Sequence, residues 1–108
     1  LVPDFRHRIV TGGYGAYDGK SNVASNNYVA AAATPNRRLA LAYLPAGGTV
    51  SANFARFAGQ VRVRWFDPTN GRFRLAPGST HPNNGIARLT PPGTNSLGDP
   101  DWLLVLTA

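Results

Sequence analysis

The sequence predicts an all-β chain, an antiparallel β-sandwich of about seven short strands in a single domain. Two observations carry that expectation. Twelve glycines and nine prolines punctuate the 108 residues at short intervals, and the runs between them are about 5 to 7 residues long with strand-like composition. No window sustains apolar residues at helical spacing behind a capping residue, so little or no helix is expected. A chain of this length can bury one core without disulfides or metals.

The first expected strand is Tyr28-Val29-Ala30-Ala31-Ala32-Ala33-Thr34, which depends on its context because alanine is a poor strand former. Pro35-Asn36 ends it with residues suited to a tight turn. Leu39-Ala40-Leu41-Ala42-Tyr43-Leu44 follows, alternates large with small, and completes an antiparallel hairpin. Thr49 to Asn53 is the next strand, after which Phe54 and Phe57 are placed to pack across the core. The clearest unit is Val61 to Phe66, the loop Asp67-Pro68-Thr69-Asn70-Gly71, and Arg72 to Leu75. Pro68 presets φ for a turn and Asn70-Gly71 tolerates positive φ. Period-two alternation puts Val61, Val63 and Trp65 on the core face with Phe73 and Leu75 opposite, and sends Arg62, Arg64, Arg72 and Arg74 together to the other face. Ala76 to Pro100 reads as loop, interrupted by a strand from Ile86 to Thr90. Trp102 to Thr107 is nearly continuously apolar, as expected of a central strand covered on both faces. On this reading residues 1–27 are an N-terminal linker and loop region, and residues 28–108 are the sandwich core.

Eleven basic residues against five acidic ones give a formal charge of +6, which raises the question of a polyanionic partner. Ten of the eleven are arginines scattered from Arg6 to Arg88. They form no basic tail and sit beside no aromatic-glycine RNA signature, so no nucleic-acid partner is expected. The absence of cysteine removes disulfides, thiolate metal sites and a cysteine nucleophile. No apolar run approaches the ~20 residues that cross a bilayer, so membrane insertion is not expected. The chain opens on Leu1 and holds no methionine, and so reads as a segment of a longer polypeptide.

Hydrolysis of a glycosidic bond needs two carboxyl groups flanking it. The chain has no glutamate, and its aspartates are Asp4, Asp18, Asp67, Asp99 and Asp101. Asp67, Asp99 and Asp101 all lie next to prolines, where aspartate serves turns by accepting bonds from nearby backbone N–H groups. His7 and His81 are too isolated for a triad or a metal site. Two carboxylates near Pro100 are too few oxygen ligands for Ca²⁺. Gly12-Gly13-Tyr14-Gly15 lacks the strand and helix that a phosphate-cradling loop requires. No catalytic residue, metal or cofactor is therefore expected. Trp65 and Trp102 are expected in the core. The candidate ligand-binding residues are Tyr14 and Tyr17, in a polar glycine-rich loop, and Arg62, Arg64, Arg72 and Arg74, whose planar forks suit carboxylates and sugar hydroxyls.

The succession Ala42-Tyr43-Leu44-Pro45, Trp65-Phe66-Asp67-Pro68-Thr69-Asn70-Gly71, Thr90-Pro91-Pro92-Gly93 and Asp99-Pro100-Asp101-Trp102-Leu103-Leu104-Val105-Leu106 resembles the C-terminal β-sandwich family described as a "putative collagen-binding domain of a collagenase". Leu1-Val2-Pro3-Asp4, with His7 and Val10-Thr11, is similar to the segment through which that sandwich follows an apiosidase-like glycoside hydrolase barrel. The resemblance implies a non-catalytic accessory domain of a bacterial protein, extracellular, on the cell surface or periplasmic, whose partner is the adjacent barrel. It leaves two alternatives open: a module binding a polysaccharide or an extracellular matrix protein such as collagen, and a self-assembling extracellular structural domain.

Overall fold

A computed structural model describes residues 2–4, 6–13, 28–46 and 48–108, with the backbone alone at 75–79. Among the described residues the strands are β1 (Val2–Pro3), β2 (Val10–Gly12), β3 (Ala30–Ala33), β4 (Leu39–Leu44), β5 (Val50–Asn53), β6 (Val61–Asp67), β7 (Arg72–His81), β8 (Ile86–Leu89) and β9 (Trp102–Thr107), with one 3-10 turn at Phe54–Arg56. They form a larger sheet, ordered β1-β3-β4-β9-β6-β7, and a smaller one, ordered β2-β5-β8. Every pairing is antiparallel. The two sheets make the expected sandwich, in one domain. No helix among the described residues is long and apolar enough to cross a membrane.

The core follows from register. On β4 and β9, Ala40 faces Leu106, Ala42 faces Leu104 and Leu44 faces Trp102. On the other side of β9, Val63 faces Leu106 and Trp65 faces Leu104. Small alanines thus leave room beside the leucines and the two indoles. Val10, Val50, Ala52 and Leu89 close the core from the smaller sheet, and Phe54 and Phe57, in a T-shaped pair at 6.1 Å, plug one end. Burying each large apolar side chain contributes roughly 1.5–3 kcal/mol.

Each expected strand is present, and four details differ. β1 and β2, which the sequence reading did not name, extend the sheets by pairing with β3 and β5. β4 turns its alanines inward and sends Leu39, Leu41 and Tyr43 outward, because the interior is already filled from β6 and β9. β9 is central, yet only one of its faces is covered by the other sheet: Val105 is buried on the outer side, while Leu103 and Thr107 are half-buried there. Finally, β7 runs on through Pro77 to His81 with a register irregularity against β6. Pro77 is tolerated because β7 is an edge strand, where half the N–H groups have no partner strand to serve. Proline at both edges, Pro3 on β1 and Pro77 on β7, also blunts strand-to-strand association between copies.

Candidate functional site

Tyr14 and Tyr17 lie outside the described residues. The arginines Arg62, Arg64, Arg72 and Arg74 do not share a face, which corrects the sequence reading. Residues paired across an antiparallel ladder point the same way, and the partners are Arg64 with Leu75, Trp65 with Arg74, Phe66 with Phe73 and Asp67 with Arg72. The hairpin loop holds an even number of residues, 68–71, so alternation on β7 is opposite to what its polarity suggests. Arg74 therefore lies on the core side, its guanidinium 5.7 Å from the centre of the Trp102 ring. Phe73 lies on the outer side, half exposed, with the Arg64 guanidinium 4.5 Å from its centre and the Phe66 ring 5.1 Å away. Such cation–π contacts attract the guanidinium to the ring face. Arg64 Nε is buried with no acceptor among the described residues.

Arg62, Arg64, Phe66 and Phe73 belong to a wider surface, the outer face of the larger sheet. Across it stand Ala30 and Ala32 on β3, Leu39, Leu41 and Tyr43 on β4, and Leu103 and Val105 on β9. Outer positions of the smaller sheet read differently: Ser51 is paired with Arg88, and Asn53 with Ile86. One outer face is thus mostly apolar and the other mostly polar. A sheet with a solvated outer face alternates apolar-in with polar-out, and the larger sheet departs from that rule on consecutive strands.

A second feature stands at the end of the sandwich where β4 and β6 finish and β9 begins. Asp67, 2% exposed, accepts bonds at Oδ1 from the Thr69 N–H (2.9 Å) and hydroxyl, and at Oδ2 from the Ser96 N–H (2.9 Å). The Ser96 and Thr69 hydroxyls lie 2.6 Å apart. Asn95, buried beside it, accepts at Oδ1 from the N–H groups of Leu97 and Asp99, and its Nδ2 donates to Asp101 Oδ1 at 2.6 Å. Trp102 Nε1 donates to the Gly93 carbonyl at 2.7 Å. The Tyr43 hydroxyl donates to Asp101 Oδ2 at 3.1 Å, and burial first, then the Asp101 bond and charge, raise the tyrosine pKa above 10.0. The residues that carried the family resemblance thus meet in space: the β6–β7 turn, the Thr90–Asp101 loop and the end of β4. Of the aspartates that sequence placed in turns, Asp67 accepts from backbone N–H groups as expected, Asp101 accepts instead from the side chains of Asn95 and Tyr43, and Asp99 takes part through its backbone N–H and carbonyl. Asn95 and Ser96 were not singled out from sequence. Their only local signal is Asx-turn composition in Asn95-Ser96-Leu97-Gly98, and the link to Asp67 is long-range.

Burial works to raise the pKa of Asp67, but the bonds from Thr69 and Ser96 together outweigh it and bring it from 3.8 down to about 2. The unfolded chain therefore takes up this proton first as acid is added. The stabilisation is whole above pH 3.8 and disappears as pH falls towards about 2. Asp67→Asn presents a donor where Ser96 N–H needs an acceptor. The substitution is expected to lower the melting temperature by several degrees at pH 7 and to flatten its fall between those pH values, as thermal melts across a pH series will read.

The remaining polar groups serve the backbone. Asp4 gathers the N–H groups of Arg8 and Ile9 at 2.9 Å and of Val10 at 3.2 Å, setting the path from β1 to β2. His7 packs edge-on against Tyr28, and His81 packs tilted against Phe54 at 5.2 Å. Among the described residues no three His, Cys, Asp or Glu side chains come together as a metal site.

This fold and these sequence features match known proteins. The family model described as "Putative collagen-binding domain of a collagenase" matches residues 19–107. A solved structure titled "Glycoside hydrolase" superposes with a TM-score of 0.67 at 16% identity, over 98% of this chain and 20% of that one. A family 5 glycoside hydrolase from Bacteroides vulgatus superposes with a TM-score of 0.72 at 14% identity, again over 98% of this chain and 20% of the other. At such identities the likeness is one of fold. The chain spans about a fifth of the length of these two structures. No curated protein matches it.

Proposed function

Because the chain belongs to the family described as a "putative collagen-binding domain of a collagenase", we propose that it is a non-catalytic accessory domain that lays the outer face of its larger sheet against a glycoside hydrolase barrel. The observation that carries this reading is the apolar band of Leu41, Tyr43, Leu103, Val105, Phe66 and Phe73 across β4, β9, β6 and β7. Contiguous apolar surface on a soluble domain marks a contact with another surface. The occupant is chosen on the similarity of nearly the whole chain to one fifth of each glycoside hydrolase. A location outside the cytoplasm, in a bacterial protein, is part of the same proposal; the first is supported by the collagen of the family's description and the second by the Bacteroides vulgatus structure of like fold.

Leu41→Lys with Leu103→Lys tests it in the full-length protein. Both side chains are half-buried on the outer face, so the isolated domain is expected to melt within a few degrees of the parent. In the full-length protein the pair is expected to uncouple the domain, giving two calorimetric transitions where the parent gives one. A single unchanged transition in the double variant would count against the docking face.

The family description favours a second reading, in which the same outer face meets a matrix protein such as collagen or a polysaccharide, with Arg62 and the Arg64–Phe73 pair as contacts. Retention of the isolated domain on insoluble collagen or polysaccharide, lost in Arg62→Ala with Phe73→Ala, is the result that would establish this reading over the first.

A further inference from the structure

At the end of the sandwich away from Asp67, the two sheets part around a pocket of about 190 Å³ lined by Ile9, Ala33, Thr34, Leu39, Phe57 and the two arginines Arg37 and Arg56. Its walls come from different sheets. The β3–β4 turn supplies Thr34 and Arg37, and the 3-10 turn after β5 supplies Arg56 and leads into Phe57. A backbone bond from Ala58 N–H to the Arg37 carbonyl, 2.9 Å, ties the walls together. The pocket is therefore part of the folded framework and not a gap between loose loops.

Two properties suit it to a ligand of one kind. Its interior is apolar, with Thr34 as the one uncharged polar residue, and the Thr34 hydroxyl is already engaged with Asn36 and Leu39. Both guanidinium groups have no hydrogen-bond or ion-pair partner among the described residues. Arg37 also holds a φ of 59°, a left-handed conformation that glycine or asparagine adopts at lower cost. The turn itself holds that conformation: the Arg37 N–H donates to the Thr34 carbonyl at 3.0 Å and the Arg37 carbonyl accepts from Ala58.

We propose that this pocket binds a small monocarboxylate with an apolar body, the ring or branched chain filling the space over Phe57 and the carboxylate held between Arg37 and Arg56. The volume suits such a body, since a cavity of about 150 Å³ lined by Leu, Ile and Phe admits benzene. Planar guanidinium forks bind carboxylates through paired, charge-assisted hydrogen bonds. A polyol such as a uronate is disfavoured because, beyond the two guanidinium groups that hold the carboxylate, the apolar walls desolvate its hydroxyl groups without pairing them. The pocket lies at the rim of the sandwich and meets the outer face of the larger sheet only at Leu39, outside the apolar band of the docking face.

The test is titration of the folded domain, followed by amide and arginine side-chain NMR shifts, with 3-phenylpropionate, with 3-phenylpropanol as the uncharged body, and with glucuronate as the charged polyol. Saturable shifts centred on Phe57, Arg37 and Arg56 are expected with phenylpropionate, at least about tenfold weaker with the alcohol and with glucuronate. Arg37→Gln and Arg56→Gln, each checked for an unchanged melting temperature, are expected to weaken phenylpropionate about five- to tenfold while leaving the alcohol unaffected. Absence of saturable binding, equal binding of acid and alcohol, tighter binding of glucuronate, or indifference to both substitutions would each overturn the proposal.

Discussion

Trp102→Ala is expected to cost about 3–5 kcal/mol, a large share of the roughly 5–15 kcal/mol that separates folded from unfolded small domains. The indole is fully buried, it faces Leu44 across the β4–β9 ladder, and its Nε1 anchors Gly93. Removing it opens a cavity in the core where β9 begins and releases the loop at the same time. Trp102→Phe separates the two effects. It keeps most of the packing and loses the bond, so it is expected to cost about 1–3 kcal/mol and to speed amide exchange from Gly93 to Asp101 more than elsewhere. Chemical denaturation gives the first quantity and hydrogen exchange the second.

Gly13→Ala is expected to be the most damaging single-methyl change. Gly13 has a φ of 72°, and a Cβ there would sit 2.2 Å from the Thr49 carbonyl oxygen and 3.1 Å from Val50 Cα. Those are backbone atoms at the start of β5, so relief requires moving β2 away from β5. Gly71 provides the internal control: its φ is 71°, and a Cβ there would meet nothing within 4 Å. Gly71→Ala should therefore cost only the conformational term, about 1–2 kcal/mol. Gly13→Ala should cost that plus the clash, about 3 kcal/mol or more in total. Comparable melting temperatures for the two variants would refute this account of the β2–β5 junction.

Much of the sandwich was legible because burial and period-two patterning coincide where both sheets cover a strand. Val61, Val63 and Trp65 on β6 are the plainest case, and they are the buried set. β7 was misread for a specific reason. Its polarity, Arg-Phe-Arg-Leu, suggests that phenylalanine faces inward, but ladder parity across the loop 68–71 decides the face. An edge strand can meet that parity because Arg74 lies over Trp102 while its charge reaches the sheet margin. In β4, large and small residues alternate, and sequence alone does not show which set turns inward. The indoles of Trp65 and Trp102 decide it, since they fill the space beside the alanines. The turn role of Asp67 was readable from Asp-Pro-Thr-Asn-Gly, whereas its bond to Ser96 joins residues distant in sequence and leaves no local trace. The Arg37–Arg56 pocket was equally invisible, as it is made by two turns of different sheets.

Side-chain footprinting by hydroxyl radicals, on the isolated domain and on the full-length protein, bears most directly on the proposal that the larger sheet docks against a neighbouring barrel. Tyr43, Phe73 and Leu103 are expected to lose reactivity in the full-length protein while Ile86 on the smaller sheet keeps its own. Equal reactivity of Tyr43 and Phe73 in both forms, or protection confined to Ile86, would contradict the account.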